Sequence, residues 1–209
     1  MILPMIGQMG SFDYPSSSES DALDCYLHGY VSSRIVNLTR GGSNGIPLCV
    51  AATKVDGLVL SLTPYSHSFN YRSVTLHGNA TLVDDPAEKL YAMELLTNSV
   101  VPERWVNARI PPDESDMSST SILRMKVTSA SAKIRTGPPS DAKKDIERPG
   151  LRERVWTGVV PVFETLGTPV PGPDNLVAEV PEHIGGFVEK MNLSTRMHAE
   201  GAAGVEKGN

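Results

Sequence analysis

The sequence predicts a mainly β protein, an antiparallel barrel with a few flanking helices. Three observations carry that prediction. Residues 46–53 and 58–62 are apolar, strand-like runs joined by Lys54-Val55-Asp56-Gly57, whose Asp-Gly pair is a hairpin signal. Residues 71–82 alternate, with Val74, Leu76, Ala80 and Leu82 on one side and Tyr71, Ser73, Thr75 and His77 on the other. Residues 121–134 alternate again, Leu123, Met125 and Val127 against Arg124, Lys126 and Thr128. Strand, hairpin, strand and strand in succession form the meander that a barrel requires.

Length and composition bound the rest. A chain of 209 residues with 40% apolar content suits one domain of ordinary size with a substantial core. No apolar window is long enough to span a bilayer, and the Met1-Ile2-Leu3-Pro4 start lacks the basic flank of a signal peptide. A net charge of −5 disfavours a nucleic-acid partner. Cys25 and Cys49 have no CxxC spacing and read as buried free thiols of a reducing compartment rather than as a disulfide. The histidines do not pair with cysteines at zinc-ligand spacing, so no metal is expected. A cytoplasmic protein without membrane contact follows.

Along the chain, residues 1–20 hold an apolar piece and a turn-rich loop, Ser11-Phe12-Asp13-Tyr14-Pro15. Residues 21–28 read as a strand, with Leu23, Cys25 and Leu27 on one face and Tyr26 and His28 on the other. The chain then turns at Gly29 through Ser32-Ser33-Arg34 into a short helix reaching Leu38. Serines at a helix start cap free backbone N–H groups, and the same geometry holds anions, with Arg34 able to add a charge-assisted clamp. Both readings stand on the residues alone. The glycine-rich loop 40–45 contains neither GxGxxG nor GKS/T, so it is no dinucleotide or P-loop motif. In the connection Ser66-His67-Ser68-Phe69-Asn70, His67 is either an exposed loop histidine or a proton donor.

Asp84-Asp85-Pro86-Ala87-Glu88 is a helix start, with Asp85 at the N-cap, Pro86 first in the helix and Glu88 at the capping-box site. Leu90, Met93 and Leu96 make its apolar stripe, flanked by Tyr91 and Leu95, and it ends before Pro102. Residues 103–112 mix Trp105 with arginines as a rim or dimer contact, and residues 113–120 form a polar connector. Lys133 and Arg135 by default are solvated charges on an edge strand. Residues 140–154 read as loop and 155–163 as the last strand, where Trp156 either stacks on a ligand or fills the barrel end.

The strings Asn70-Tyr71-Arg72-Ser73-Val74, Gly78-Asn79-Ala80 and Asp84-Asp85-Pro86 together resemble the FMN-binding split-barrel family related to pyridoxamine 5'-phosphate oxidase. The nearest branch is that of the nitroimidazole-resistance reductases and flavin-nucleotide-binding proteins. Ser131-Ala132-Lys133-Ile134-Arg135-Thr136-Gly137-Pro138-Pro139 matches the family's SAK-R-GPP segment, and Trp156-Thr157-Gly158-Val159 its last strand. The resemblance runs from about residue 26 to about residue 163. It implies a split barrel whose first strand and helix are missing here, leaving an open sheet edge.

It also implies FMN as cofactor, with His28, Ser32, Ser33 and Arg34 at the phosphate. Tyr71, Arg72 and Ser73 would line the flavin, Lys133 and Arg135 would lie near the ring or ribityl chain, and Trp156 beside it. The expected activity is an FMN-dependent oxidoreductase, flavin reductase or nitroreductase in kind, taking electrons from NAD(P)H to a small organic acceptor. The expected assembly is a homodimer with FMN at the interface. Pyridoxamine-phosphate oxidation is not expected, because that enzyme's paired substrate-phosphate arginines are absent. The fold also hosts haem, deazaflavin and non-catalytic flavin binders, or a cofactor-free remnant of the fold. The barrel domain is expected over residues 1–166, a Pro/Gly-rich arm over 167–191 and a disordered polar tail over 192–209.

Overall fold

In the computed structural model the described residues are 2–16, 24–40 and 45–204. Six antiparallel strands form one open sheet. They are β1 (Gly7–Gly10), β2 (Asp24–Tyr30), β3 (Ile46–Leu60), β4 (Ser68–Leu82), β5 (Thr120–Arg135) and β6 (Gly158–Pro161). Their order is β1-β2-β5-β4-β3-β6, so among the described residues β1 and β6 are edges and the sheet is not closed. This is the mainly β antiparallel class that the strand pattern predicts, and it is consistent with the split barrel that the resemblance implies. The helices are α1 (Arg34–Arg40), α2 (Pro86–Val100), α3 (Glu114–Ser119), α4 (Lys143–Ile146), α5 (Leu151–Arg154) and α6 (Glu182–Ala202). The chain divides into two compact units, Met1–Val50 with Thr75–Ala130, and Ala51–Val74 with Ser131–Asn209.

The first unit is built on apolar side chains packed against both sheet faces. In the β2–β5 ladder Leu27 lies opposite Leu123 and Cys25 opposite Met125. These four pack with Ile35 and Val36 of α1 and with Ala80. The alternate residues Tyr26 and Ile122 pack on the other face with Val83, Ala92 and Leu96, the last two from α2. Period-two strands buried on both sides thus receive one helix each way. Gly78 permits the close pairing of β4 and β5, since a Cβ there would lie 2.1 Å from the Lys126 carbonyl oxygen.

Helix α2 starts as its sequence predicts, with Asp85 as N-cap accepting from the Ala87 N–H at 2.8 Å and Pro86 in the first turn. Glu88, expected to complete a capping box, is instead buried. Its Oε1 accepts from the Tyr26 hydroxyl and from Arg124 Nη1, both at 2.9 Å. A carboxylate with two such donors has a stronger use than a backbone N–H at an exposed helix start. The buried line is accordingly Glu88, Ala92 and Leu96 at four-residue spacing, while Leu90 of the expected stripe is exposed. The polar connector 113–120 contains a helical turn, α3, started by a capping box between Asp113 and Asp116. Cys25 is buried as expected, but Cys49 is exposed on β3; both are free thiols.

The second unit departs further from expectation. The hairpin at Lys54–Gly57 does not form, and residues 46–60 are one continuous strand. Asp56 is buried and holds Arg72 of β4 through two bonds of 2.9 Å, which fixes the run as extended ladder. Gly57 serves the β3–β6 pairing instead, because a Cβ there would come 2.7 Å from Val159 Cγ1. The last strand shrinks to Gly158–Pro161, which leaves Trp156 outside it. Residues 140–154, expected as loop, contain α4 and α5.

The arm is irregular only as far as Pro181, and residues 192–202, expected as a mobile tail, continue α6. That helix is fixed by small residues and carboxamides. Ala199 and Ala202 are buried, and Asn192 clasps both the N–H and the C=O of Leu166 at 2.7 and 2.9 Å. The rest of the expected tail, 205–209, lies outside the described residues.

Candidate functional site

The residues expected at a cofactor phosphate lie in the first unit, at the turn from β2 into α1. Ile35 and Val36 anchor α1 in the core, so the preceding Ser32, Ser33 and Arg34 are held where the strand ends. The Ser33 N–H donates to the Tyr30 carbonyl at 2.9 Å, and the Ser33 carbonyl accepts from the Asn37 N–H at 3.0 Å. Ser33 therefore sits at the N-cap position, yet its side chain does not cap. Its Oγ is shut off from solvent and has no hydrogen-bond partner. Ser32 uses its carbonyl to accept from Asn37 Nδ2 at 3.3 Å, which leaves its hydroxyl exposed. Arg34 and His28 are both exposed, and Arg34 makes no ion pair among the described residues.

The remaining candidates lie in the second unit, where strand alternation sorts them. Tyr71 and Ser73 point to one side of β4. The Lys133 ammonium from β5 stands 5.8 Å from the Tyr71 ring centroid, a cation–π distance, and Thr53 Oγ1 donates to Ser73 Oγ at 3.2 Å. Arg72, between them in sequence, faces the other way and is taken up by Asp56. His198 Nε2 of α6 stands 3.4 Å from the same carboxylate. Burial pushes the Asp56 carboxyl up, but the Arg72 hydrogen bonds and charge, with His198, outweigh it and hold the group below the ordinary carboxylate range.

Arg135 is likewise engaged in structure. It donates to Asn70 Oδ1 and to the Pro138 carbonyl. Asn70 is fully buried and gives its amide hydrogens to the Gly137 and Ala202 carbonyls at 3.1 and 3.0 Å. Trp156 is 65% exposed, its ring resting against the bare Cα of Gly158. His67 is exposed at the end of a 3-10 turn, and its Nδ1 accepts from the Ser61 N–H at 2.9 Å, which puts the proton of the neutral ring on Nε2. Thus Tyr71, Ser73 and Lys133 come together with Thr53, while Arg72, Arg135, His67 and Trp156 each have local partners elsewhere.

Asp56, Asn70, His198 and His183 were not legible as polar centres from the sequence. His183, in the first turn of α6, has a buried Nε2 without a hydrogen-bond partner. Among the described residues no three His, Cys, Asp or Glu side chains come together as a metal site, and no helix is long and apolar enough to cross a membrane.

The family model described as pyridoxamine 5'-phosphate oxidase matches residues 1–134. The chain belongs to this family. Its open antiparallel sheet is the flavin-binding fold of the pyridoxamine 5'-phosphate oxidase-like proteins. Among solved structures, the FAD and haem binding protein from Mycobacterium smegmatis is 28% identical with a TM-score of 0.68, over 79% of this chain and 77% of that one. The flavocytochrome Anf3 from Azotobacter vinelandii is 29% identical with a TM-score of 0.67, over 88% and 84%. A candidate 5-nitroimidazole antibiotic resistance protein from Bacteroides thetaiotaomicron is 17% identical with a TM-score of 0.40, over 62% and 66%, a level at which it carries no argument. No curated protein matches the chain.

Proposed function

We propose that this member of the pyridoxamine 5'-phosphate oxidase family is an FMN-dependent oxidoreductase of the flavin reductase or nitroreductase kind. Its donor is NAD(P)H and its substrate a small organic acceptor. The observation that carries the reading is the Ser33 hydroxyl, buried without a partner directly before an exposed, unpaired arginine. A hydroxyl in that state lacks an acceptor for its proton, and a phosphate oxygen is one. Arg34 adds a charge-assisted bond to the same group, Ser32 offers a second hydroxyl, and His28 stands at the end of the preceding strand. The turn between β2 and α1 therefore fits the phosphate end of a flavin nucleotide.

Within the second unit, Tyr71, Ser73 and Lys133 offer an aromatic face, a hydroxyl and a cation to a flavin ring. Arg72 and Arg135 act as positioning residues, holding the β4 backbone under Tyr71 and Ser73 through Asp56 and Asn70. Bound flavin supplies the hydride or electron transfer itself. The reading includes a homodimer with FMN at the subunit interface, so the phosphate and ring contacts need not come from one chain. It also includes a cytoplasmic location, which the free thiols Cys25 and Cys49 support.

The test is the absorption spectrum of the purified protein, with mass identification of what it releases, followed by NAD(P)H oxidation with and without acceptor. The expected result is a yellow protein that releases FMN and turns over. Arg34→Ala weakens FMN binding without lowering the melting temperature of the flavin-free protein. A colourless protein whose melting temperature does not rise with added FMN overturns the reading. A second reading is a carrier of flavin and haem without NAD(P)H turnover. Two structural relatives named for both kinds of group support it.

A further inference from the structure

One end of the sheet is left bare. The β6 pairing of β3 spans only Gly57–Leu60, and the β2 pairing of β5 ends at Met125. Past these points β3, β4 and β5 run on as three strands. Residues 51–55 of β3 and 131–134 of β5 are exposed at every position, so both faces are open there. An antiparallel sheet commonly turns one face to water, not both, and uncovered strands invite another chain. Strand alternation sorts the face that carries Tyr71. The Thr53–Ser73 bond and the Lys133 cation–π contact put Thr53, Ser73 and Lys133 on it. Val55 and Phe69 join them, each two residues along its strand from Thr53 or Tyr71. Phe69 is 53% exposed and Val55 is exposed too, so this face is apolar and aromatic around one cation.

The same unit holds a segment suited to cover such a face. Residues 165–181 form no helix or strand, and every residue from 170 to 181 is exposed. Val170 and Leu176 are 88% and 97% exposed, with Val177 and Val180 also in water. The segment nevertheless has a fixed shape. Asn192 clasps Leu166 at one end, and α6 begins directly after Pro181 at the other. In between, the Asn175 N–H donates to the Gly172 carbonyl at 3.1 Å and Asn175 Nδ2 to the Val177 carbonyl at 2.8 Å. Leu176 is thus displayed on a self-bonded turn, stiffened by Pro169, Pro171 and Pro173. Holding a leucine there forgoes the burial that stabilises apolar side chains. The charged residues of the segment are Asp174 and Glu179 alone, and neither forms an ion pair among the described residues.

We infer that residues 165–181 are an exchange arm, which lies over the Tyr71 face of β3, β4 and β5 in a second copy of this chain. Leu176 and Val177 pack on Phe69 and Val55 of that copy, and Asp174 and Glu179 supply counter-charge to its Lys133. Each chain carries both halves, and both are exposed in the single chain, so a two-fold pair makes the contact twice. A second copy covers arm and face together, whereas an unrelated partner covers one of them. The inference rests on the homodimer proposed above and adds the segment that closes the ring side of the flavin site. Phe69 and Val55 lie one step beyond Tyr71 and Thr53 on their strands, so the arm borders the flavin ring without displacing it.

The test is sedimentation velocity of the full-length protein over a range of concentrations. Wild type, Leu176→Asp, Phe69→Asp and an equimolar mixture of the two variants are compared. Wild type is expected to be a dimer, and each variant to associate roughly tenfold or more weakly with unchanged far-UV circular dichroism. The mixture is expected to form heterodimers, since the intact arm of Phe69→Asp meets the intact face of Leu176→Asp. Such rescue separates a lost contact from a lost fold, and an arm-on-face contact from one in which two arms or two faces meet. Variants that dimerise like wild type overturn the inference and leave the homodimer standing. A mixture no more associated than its components overturns it equally. If wild type stays monomeric at every concentration, the homodimer fails and takes this inference with it.

Discussion

The two units of the chain bury a carboxylate each beside an arginine, and do so on different foundations. In the first unit Glu88 sits over a sheet whose two faces are filled by Leu27, Leu123, Met125, Tyr26 and Ile122. Its bonds to Tyr26 and Arg124 pin α2 to a core that apolar packing already holds. In the second unit the fully buried positions include Asn70 and Ser61 beside Val59, and Asp56 is nearly as enclosed. There the ties are Asp56 to Arg72 and His198, and Asn70 to Gly137, Ala202 and Arg135. One unit stands on area removed from water, the other on directed polar bonds. The polar unit is therefore the one that pH and partner loss should loosen first.

The largest effect is expected from Leu123→Ala, which opens a cavity in the core face it shares with Leu27 and Val36 and costs about 2–5 kcal/mol, read by urea denaturation. Asp56→Ala is expected to cost about 1–3 kcal/mol, because Arg72 is partly exposed and recovers water when its partner goes. Equal losses from these two variants would erase the distinction drawn between the units.

Acidification sharpens it. The Asp56 carboxyl is held below its ordinary value, so it binds its proton less readily folded than unfolded. Its stabilisation is present above the unfolded value near 4 and is lost as pH falls through the lower folded value. Asp24 in the first unit has the opposite sign. Burial pushes its carboxyl up, outweighing Arg124, so its folded form takes a proton more readily and the penalty grows as pH rises. Hydrogen exchange at about pH 6 and about pH 2.5 should therefore show α6 losing protection on acidification while β2 does not, and Asp56→Asn should flatten the α6 response. The smallest effect is a matter of access. Burial pushes the Cys25 thiol up to about 11, whereas Cys49 is exposed, so one thiol of the native protein should react with a disulfide reagent and two after denaturation.

The contrast also marks what could be read from residues alone. The first unit was legible because its signals are period-two strands and a capped helix, whose burial follows from geometry. Leu123, Met125 and the Asp85-Pro86 start all behave as patterned. Glu88 did not, because its partners Tyr26 and Arg124 lie 62 and 36 residues away in sequence. In the second unit one clue was present and outvoted. Residues 71 and 72 of one strand cannot face the same side, so Tyr71 and Arg72 could not both line one ligand. Asp56-Gly57 carried a turn signal that the long-range Arg72 bond overrides. His198 and Asn70 had no local signal, since their partners are set by how α6 returns to the sheet.

That return has a practical side. The carbonyl of Ala202 accepts at once from the Asn70 amide and from the Gly137 N–H, in the last turn of α6. A chain trimmed before this residue would strand a sealed carboxamide in mid-sheet, whereas a purification handle spliced beyond residue 204 leaves the clasp whole. The helix end is thus a structural rivet, and shortening the polypeptide there is a riskier edit than lengthening it.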